Sequence, residues 1–105
     1  MIAPSATIAL GFDAPLSLEA LCDRLNRIGP FHFRVSESDT HGDHLWCVLD
    51  ENTSLSVYGE RPRWVVQASV LPGSAWTHEQ MEREIAARIL PAIGARNVHP
   101  TDTWA

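Results

Sequence analysis

The sequence predicts an α+β fold: a two-layer sandwich in which a mostly antiparallel sheet of about five strands carries two helices on one face. Three observations predict it. Four short stretches repeat apolar residues at a period of two and a fifth is apolar throughout, two longer ones repeat apolar residues at helical spacing, and the last four strands are joined by short turns. The chain has 105 residues and no linker, repeat or low-complexity stretch, so 1–105 reads as a single domain large enough for one core.

Ile8, Leu10 and Phe12 share one face of a first strand over 6–12, and Asp13-Ala14-Pro15 turns the chain. Ser17 is a good N-cap for a helix over 17–28. Leu18, Leu21, Cys22, Leu25 and Ile28 form its apolar stripe, with Gly29 at the C′ position and Pro30 blocking continuation. Phe31, Phe33 and Val35 then alternate with His32, Arg34 and Ser36 in a second strand, followed by a polar loop from Ser38 to Asp43.

Leu45-Trp46-Cys47-Val48-Leu49 is apolar on both alternations, which predicts a central strand covered on both sides. After the Asp50-Glu51-Asn52-Thr53 turn, Leu55 and Val57 alternate with Ser54, Ser56 and Tyr58 in a fourth strand. The fifth runs from Trp64 to Leu71, and Pro72-Gly73 ends it. Thr77 and Gln80 have the spacing of a capping box, and Trp76 and Met81 that of a hydrophobic staple. Met81, Ile85 and Ile89 mark the buried stripe of a last helix that Pro91 should kink or end near Leu90, with Gly94 closing the turn that follows. The tail from Val98 either adds an edge strand or lies over the surface through Trp104.

This β-α-β-β-β-β-α order resembles a ferredoxin-like sandwich with an extra hairpin, an analogy of fold that implies nothing about function. Both helices have one apolar stripe, so both should cover the same sheet face. The other face must then expose one apolar alternation of the third strand and one of the fifth, and a half-apolar open sheet face is an interaction surface unless the tail seals it.

The net charge is −5. It is concentrated in 37–60, where Glu37, Asp39, Asp43, Asp50, Glu51 and Glu60 occur without any arginine. Turns favour Asp, which accounts for part of this; an acidic surface for a basic partner accounts for the concentration. Direct nucleic-acid binding needs a cationic stripe that is absent here. No apolar run is long enough to span a bilayer and the N-terminus lacks a secretory pattern, so a cytoplasmic location is expected. Every basic side chain apart from histidine is arginine, a usage typical of GC-rich bacterial coding sequences.

Cys22 and Cys47 form no C-x-x-C pair, which argues against a zinc ribbon or dithiol motif, and both are expected to be reduced, buried thiols. Asp39-Thr40-His41-Gly42-Asp43-His44 resembles the H-x-H-x-D-H metal motif of metallo-β-lactamase-type hydrolases, with Asp39 in place of the first histidine. The resemblance implies a zinc or iron held by Asp39, His41 and His44. It covers six residues, and the larger sandwich and later ligands of that family have no counterpart, so a solvated loop without metal or cofactor is expected.

No nucleophile, general base or phosphate loop stands in a recognisable context, and no catalytic residue is expected. The function that fits best is a small protein-binding module that masks or inhibits a partner, as immunity proteins, antitoxins and phage inhibitors do. Glu37, Asp39, Asp43, Asp50 and Glu51 would steer a basic partner, such as a nuclease or a nucleic-acid-binding complex, and Trp46, Tyr58 and Trp64 would supply anchors. Homodimerisation through the open face, around a small ligand, is the alternative; a hydrolase built on the 39–44 loop is the third.

Overall fold

A computed structural model describes residues 6–29, 31–37 and 42–101. The elements run β1 (Ala6–Asp13), α1 (Leu18–Asn26), β2 (Arg34–Ser36), β3 (His44–Asp50), β4 (Thr53–Glu60), β5 (Arg63–Val70), α2 (His78–Glu84), a π turn (Ile85–Ile89), α3 (Leu90–Ala92) and β6 (Arg96–Pro100). The strands form one six-stranded sheet in the order β2-β3-β4-β5-β1-β6, with every neighbouring pair antiparallel. The α+β sandwich is as expected, with one strand more than the five anticipated: residues 96–100 pair with β1. β1 and β2 run in the same direction but are separated by β5, β4 and β3, so α1 connects strands that are not neighbours.

Helix packing explains which side chains point inward. α1 packs against β2 and β3, and α2 against β1. Leu21 and Leu25 of α1 and Met81, Ile85, Ile89, Leu90 and Ile93 of the C-terminal helical stretch are buried in one cluster with Phe12, Leu45, Leu55, Val57 and Val66 of the sheet. The Trp64 indole N–H donates to the Ala14 carbonyl at 3.2 Å, which satisfies its one polar atom inside this core.

Several boundaries differ from the sequence reading for identifiable reasons. The Ser17 hydroxyl accepts from the Ala20 amide as expected, but α1 stops at Asn26 with Arg27 as C-cap, before Gly29. Asn26 turns its carboxamide to the backbone of Phe33 instead of continuing the surface of the helix. The second strand shortens to Arg34–Ser36, although Phe31 and Phe33 are buried ahead of it. The Thr77–Gln80 capping box is formed. Trp76, spaced to staple onto Met81, packs its ring against Phe31 with centroids 6.4 Å apart.

The last helix ends at Ala92, one residue after Pro91 and close to the expected stop near Leu90. The missing N–H of Pro91 is absorbed by the π turn before it, in which the Leu90 amide reaches the Ile85 carbonyl. Gly94, at φ 62°, then reverses the chain into β6.

Candidate functional site

Strand register sorts the two faces of the sheet. Ile8, Leu10, Phe12, Trp64, Val66, Ala68, Leu55, Val57, Leu45 and Cys47 face the helices. On the other face three cross-strand rows emerge. One runs Ser36, His44, Tyr58, Val65, Gly11 and His99; the next runs Arg34, Trp46, Ser56, Gln67 and Ala9; the third runs Val48, Ser54, Ser69 and Thr7. Among the described residues no helix lies over this face, and Trp46, Val48 and Val65 stand outside the core cluster. Trp104, the tail residue that could lie over the surface, falls outside the described residues.

β3 is therefore not covered on both sides by described elements. Leu45 and Cys47 are buried, Trp46 is half-buried, and Val48 is 57% exposed. The apolar reading of both alternations was right in composition, but β3 is the second strand from an edge, with only its inner side against α1. Tyr58 lies low in the open face, where its hydroxyl donates to Gln67 Oε1 at 3.0 Å. Trp64 belongs to the opposite, helix-facing side and is only 5% exposed, so it cannot act as a surface anchor on the open face.

Among the described residues the acidic side chains fall into two groups at opposite ends of β3. β3 separates them, since Asp43 precedes it and Asp50 ends it. At about 3.3 Å per residue, Asp43 and Glu51 stand roughly 26 Å apart along the strand. Glu37, Asp43 and Glu60 are exposed at one end of the hairpin and Glu51 at the other. Asp50 is half-buried and occupied by its own chain: it accepts from the Asn52 amide at 2.7 Å, the Thr53 hydroxyl at 2.9 Å and the Ala75 amide at 3.3 Å. The Asn52 amide is the main reason its carboxyl titrates below the usual aspartate range; partial desolvation opposes this, and Thr53 and Ala75 add to it.

Asp39 and His41 lie outside the described residues. His44 is buried, and its Nδ1 lies 3.2 Å from the Gly42 carbonyl. Among the described residues no group of three His, Cys, Asp or Glu is placed to hold a metal ion. Cys22 and Cys47 are free thiols. Burial pushes both up, with the Asp23 carboxylate adding at Cys22, so both are protonated at neutral pH and are weak nucleophiles.

The sequence reading missed one charged row. Glu60 is opposite Arg63, Arg63 opposite Asp13, and Asp13 opposite Arg96, so charges alternate in sign across four strands at the rim of the open face. No single strand signals this arrangement, because it exists only in the pairing register. No family model and no curated protein matches the chain. Among the described residues no helix is long and apolar enough to cross a membrane.

Proposed function

We propose that this chain is a protein-binding module that docks its partner on the open face around β3 and β4 and acts by masking it. The observation that carries this reading is the exposure of Val48 beside Trp46 on a sheet face that no described helix covers, with carboxylates at both ends of the strand. That is the layout of an interface, with an apolar centre and a charged rim. The occupant it fits is a protein surface with an apolar knob flanked on two sides by arginine or lysine. The overall charge of −5 favours its approach. Among the described residues the Thr53 hydroxyl meets the Asp50 carboxylate, but that contact ties the β3–β4 turn to the segment before α2, so occlusion is a better-supported mode of action than catalysis.

Site-specific photocrosslinking from position 48 in the native host tests this. The expected result is one dominant adduct with a different, basic protein. Its capture should weaken with salt and with Trp46→Ala, and its own activity should fall when the purified chain is added. An adduct only with a second copy, together with a dimer by light scattering, would replace masking with homodimerisation. No adduct above background would sink the docking reading.

A further inference from the structure

Beyond the end of the Asp13–Arg96 row, and remote in the sheet from β3, four chain segments line an open pocket of about 420 Å³, within the size range of small-ligand sites. Its floor is Ala14, which is almost fully buried and clamped at both ends: its amide donates to the Pro62 carbonyl at 2.9 Å and its carbonyl accepts from the Trp64 indole. Leu16, Pro62 and Ile93 supply apolar walls. These groups are held in place by the core and by the β4–β5 turn, so the cavity does not depend on a mobile lid.

The polar groups at its mouth are Arg24, from the last turn of α1, Arg96, which opens β6, and Asp13. Asp13 is already engaged, accepting from Asn97 Nδ2 at 2.8 Å. Among the described residues neither arginine side chain makes a hydrogen bond or an ion pair. Two uncommitted guanidinium groups therefore border a rigid apolar cavity in a molecule whose net charge is −5. Their planar forks match a carboxylate, and the floor and walls match an apolar body.

We infer that this cavity binds a small organic carboxylate with an apolar body, held by Arg24 and Arg96 at its mouth and by Ala14, Leu16 and Ile93 inside. This inference is independent of the docking face. The test is an NMR titration of the isotope-labelled chain with phenylacetate, using phenylacetamide as the uncharged control. The expected result is saturable shifts confined to 13–16, Arg24 and 93–96, with none from the amide. Combined Arg24→Gln and Arg96→Gln should weaken binding by about tenfold or more. Both arginines are exposed, so the rest of the spectrum should be unchanged and should report an intact fold. The proposal is overturned by absence of saturable shifts at millimolar phenylacetate, by equal binding of the amide, or by equal binding to the double variant.

Discussion

The Asn26 side chain pairs with the backbone of Phe33 as a neighbouring strand would. Its Nδ2 donates to the Phe33 carbonyl at 2.9 Å, and its Oδ1 accepts from the Phe33 amide at 2.6 Å. Phe33 directly precedes β2, the edge strand, where the sheet offers no outer partner. One carboxamide thus ends α1 and seats the chain that enters the sheet. Asn26→Asp keeps the acceptor, loses the donor and sets a carboxylate against a carbonyl. It should destabilise the fold by about 1–2 kcal/mol in urea unfolding, and Asn26→Ala by a similar amount. Loss of less than about 0.5 kcal/mol in both would show the pairing to be incidental.

Asp50 plays the corresponding role at the β3–β4 turn. Its carboxylate joins Asn52 and Thr53 to Ala75, and the Thr53 hydroxyl also meets that of Ser74, so the hairpin is tied to the entry of α2. Its folded-state pKa lies below the ordinary aspartate value. The linked stabilisation is therefore complete above the unfolded pKa, near pH 4, and is lost as pH falls through the lower folded value. Asp50→Asn should be less stable than the parent at neutral pH, and the two melting curves should converge in acid. Parallel curves down to about pH 2 would refute this linkage.

Gly11 is shaped by His99. A Cβ at position 11 would lie 2.6 Å from His99 Nε2 and 2.8 Å from Cε1, so the ring rests directly on the strand backbone. The ring is held there by Nδ1, 2.7 Å from the Asn97 carbonyl. Gly11→Ala must push the ring away and should cost about 1 kcal/mol. His99→Ala alone, at an exposed position, should cost less than about 0.5 kcal/mol. In the double variant the Gly11→Ala penalty should largely vanish, a coupling that a thermodynamic cycle measures directly. Additive losses would place the strain elsewhere.

The two faces of the β3–β4 hairpin should respond oppositely to substitution. Leu55 is fully buried against the helices, and Leu55→Ala should cost about 2–5 kcal/mol. Val48→Thr keeps the β-branched shape on the exposed face and should change stability by less than about 0.5 kcal/mol. If Val48→Thr were as costly as Leu55→Ala in denaturant unfolding, something would be covering the open face.

Local signals made much of this fold legible in the sequence. Ser17, Thr77 with Gln80, and the alternation in β1, β4 and β5 each rest on neighbours within a few residues. Position in the sheet was not legible. Leu45 to Leu49 reads as a doubly covered strand, because composition reports how apolar a strand is and not how many layers it meets. Trp64 and Trp46 are both tryptophans on strands, yet only the pairing register puts one against Ala14 and the other on the open face. The acidic stretch is contiguous in sequence, and an extended strand through its middle separates its members. The cavity beside Arg24 and Arg96 combines residues from four segments and has no local signature.

The π turn places Leu90 and Ile93 on the buried stripe. At 100° per residue, a regular helix would carry Leu90 about 140° around the axis from Ile85, away from the core. Widening one turn acts as a single-residue insertion and rotates everything after it back by about 100°. Leu90 and Ile93 then join Met81, Ile85 and Ile89 inside, as their burial shows. Pro91 favours the wide turn from the other side, since it cannot bond the Ala87 carbonyl and its ring would clash there. Deleting the exposed Ala87 together with Pro91→Ala should therefore convert 78–92 to regular α-helix with the same stripe inward, at a cost below about 2 kcal/mol. Deleting Arg83 with Pro91→Ala removes a residue from the regular turns before the π segment, breaks the stripe between Met81 and Ile85, and should abolish cooperative unfolding. Equal damage from the two deletions, measured by thermal melts, would show that the wide turn is not a tolerated insertion.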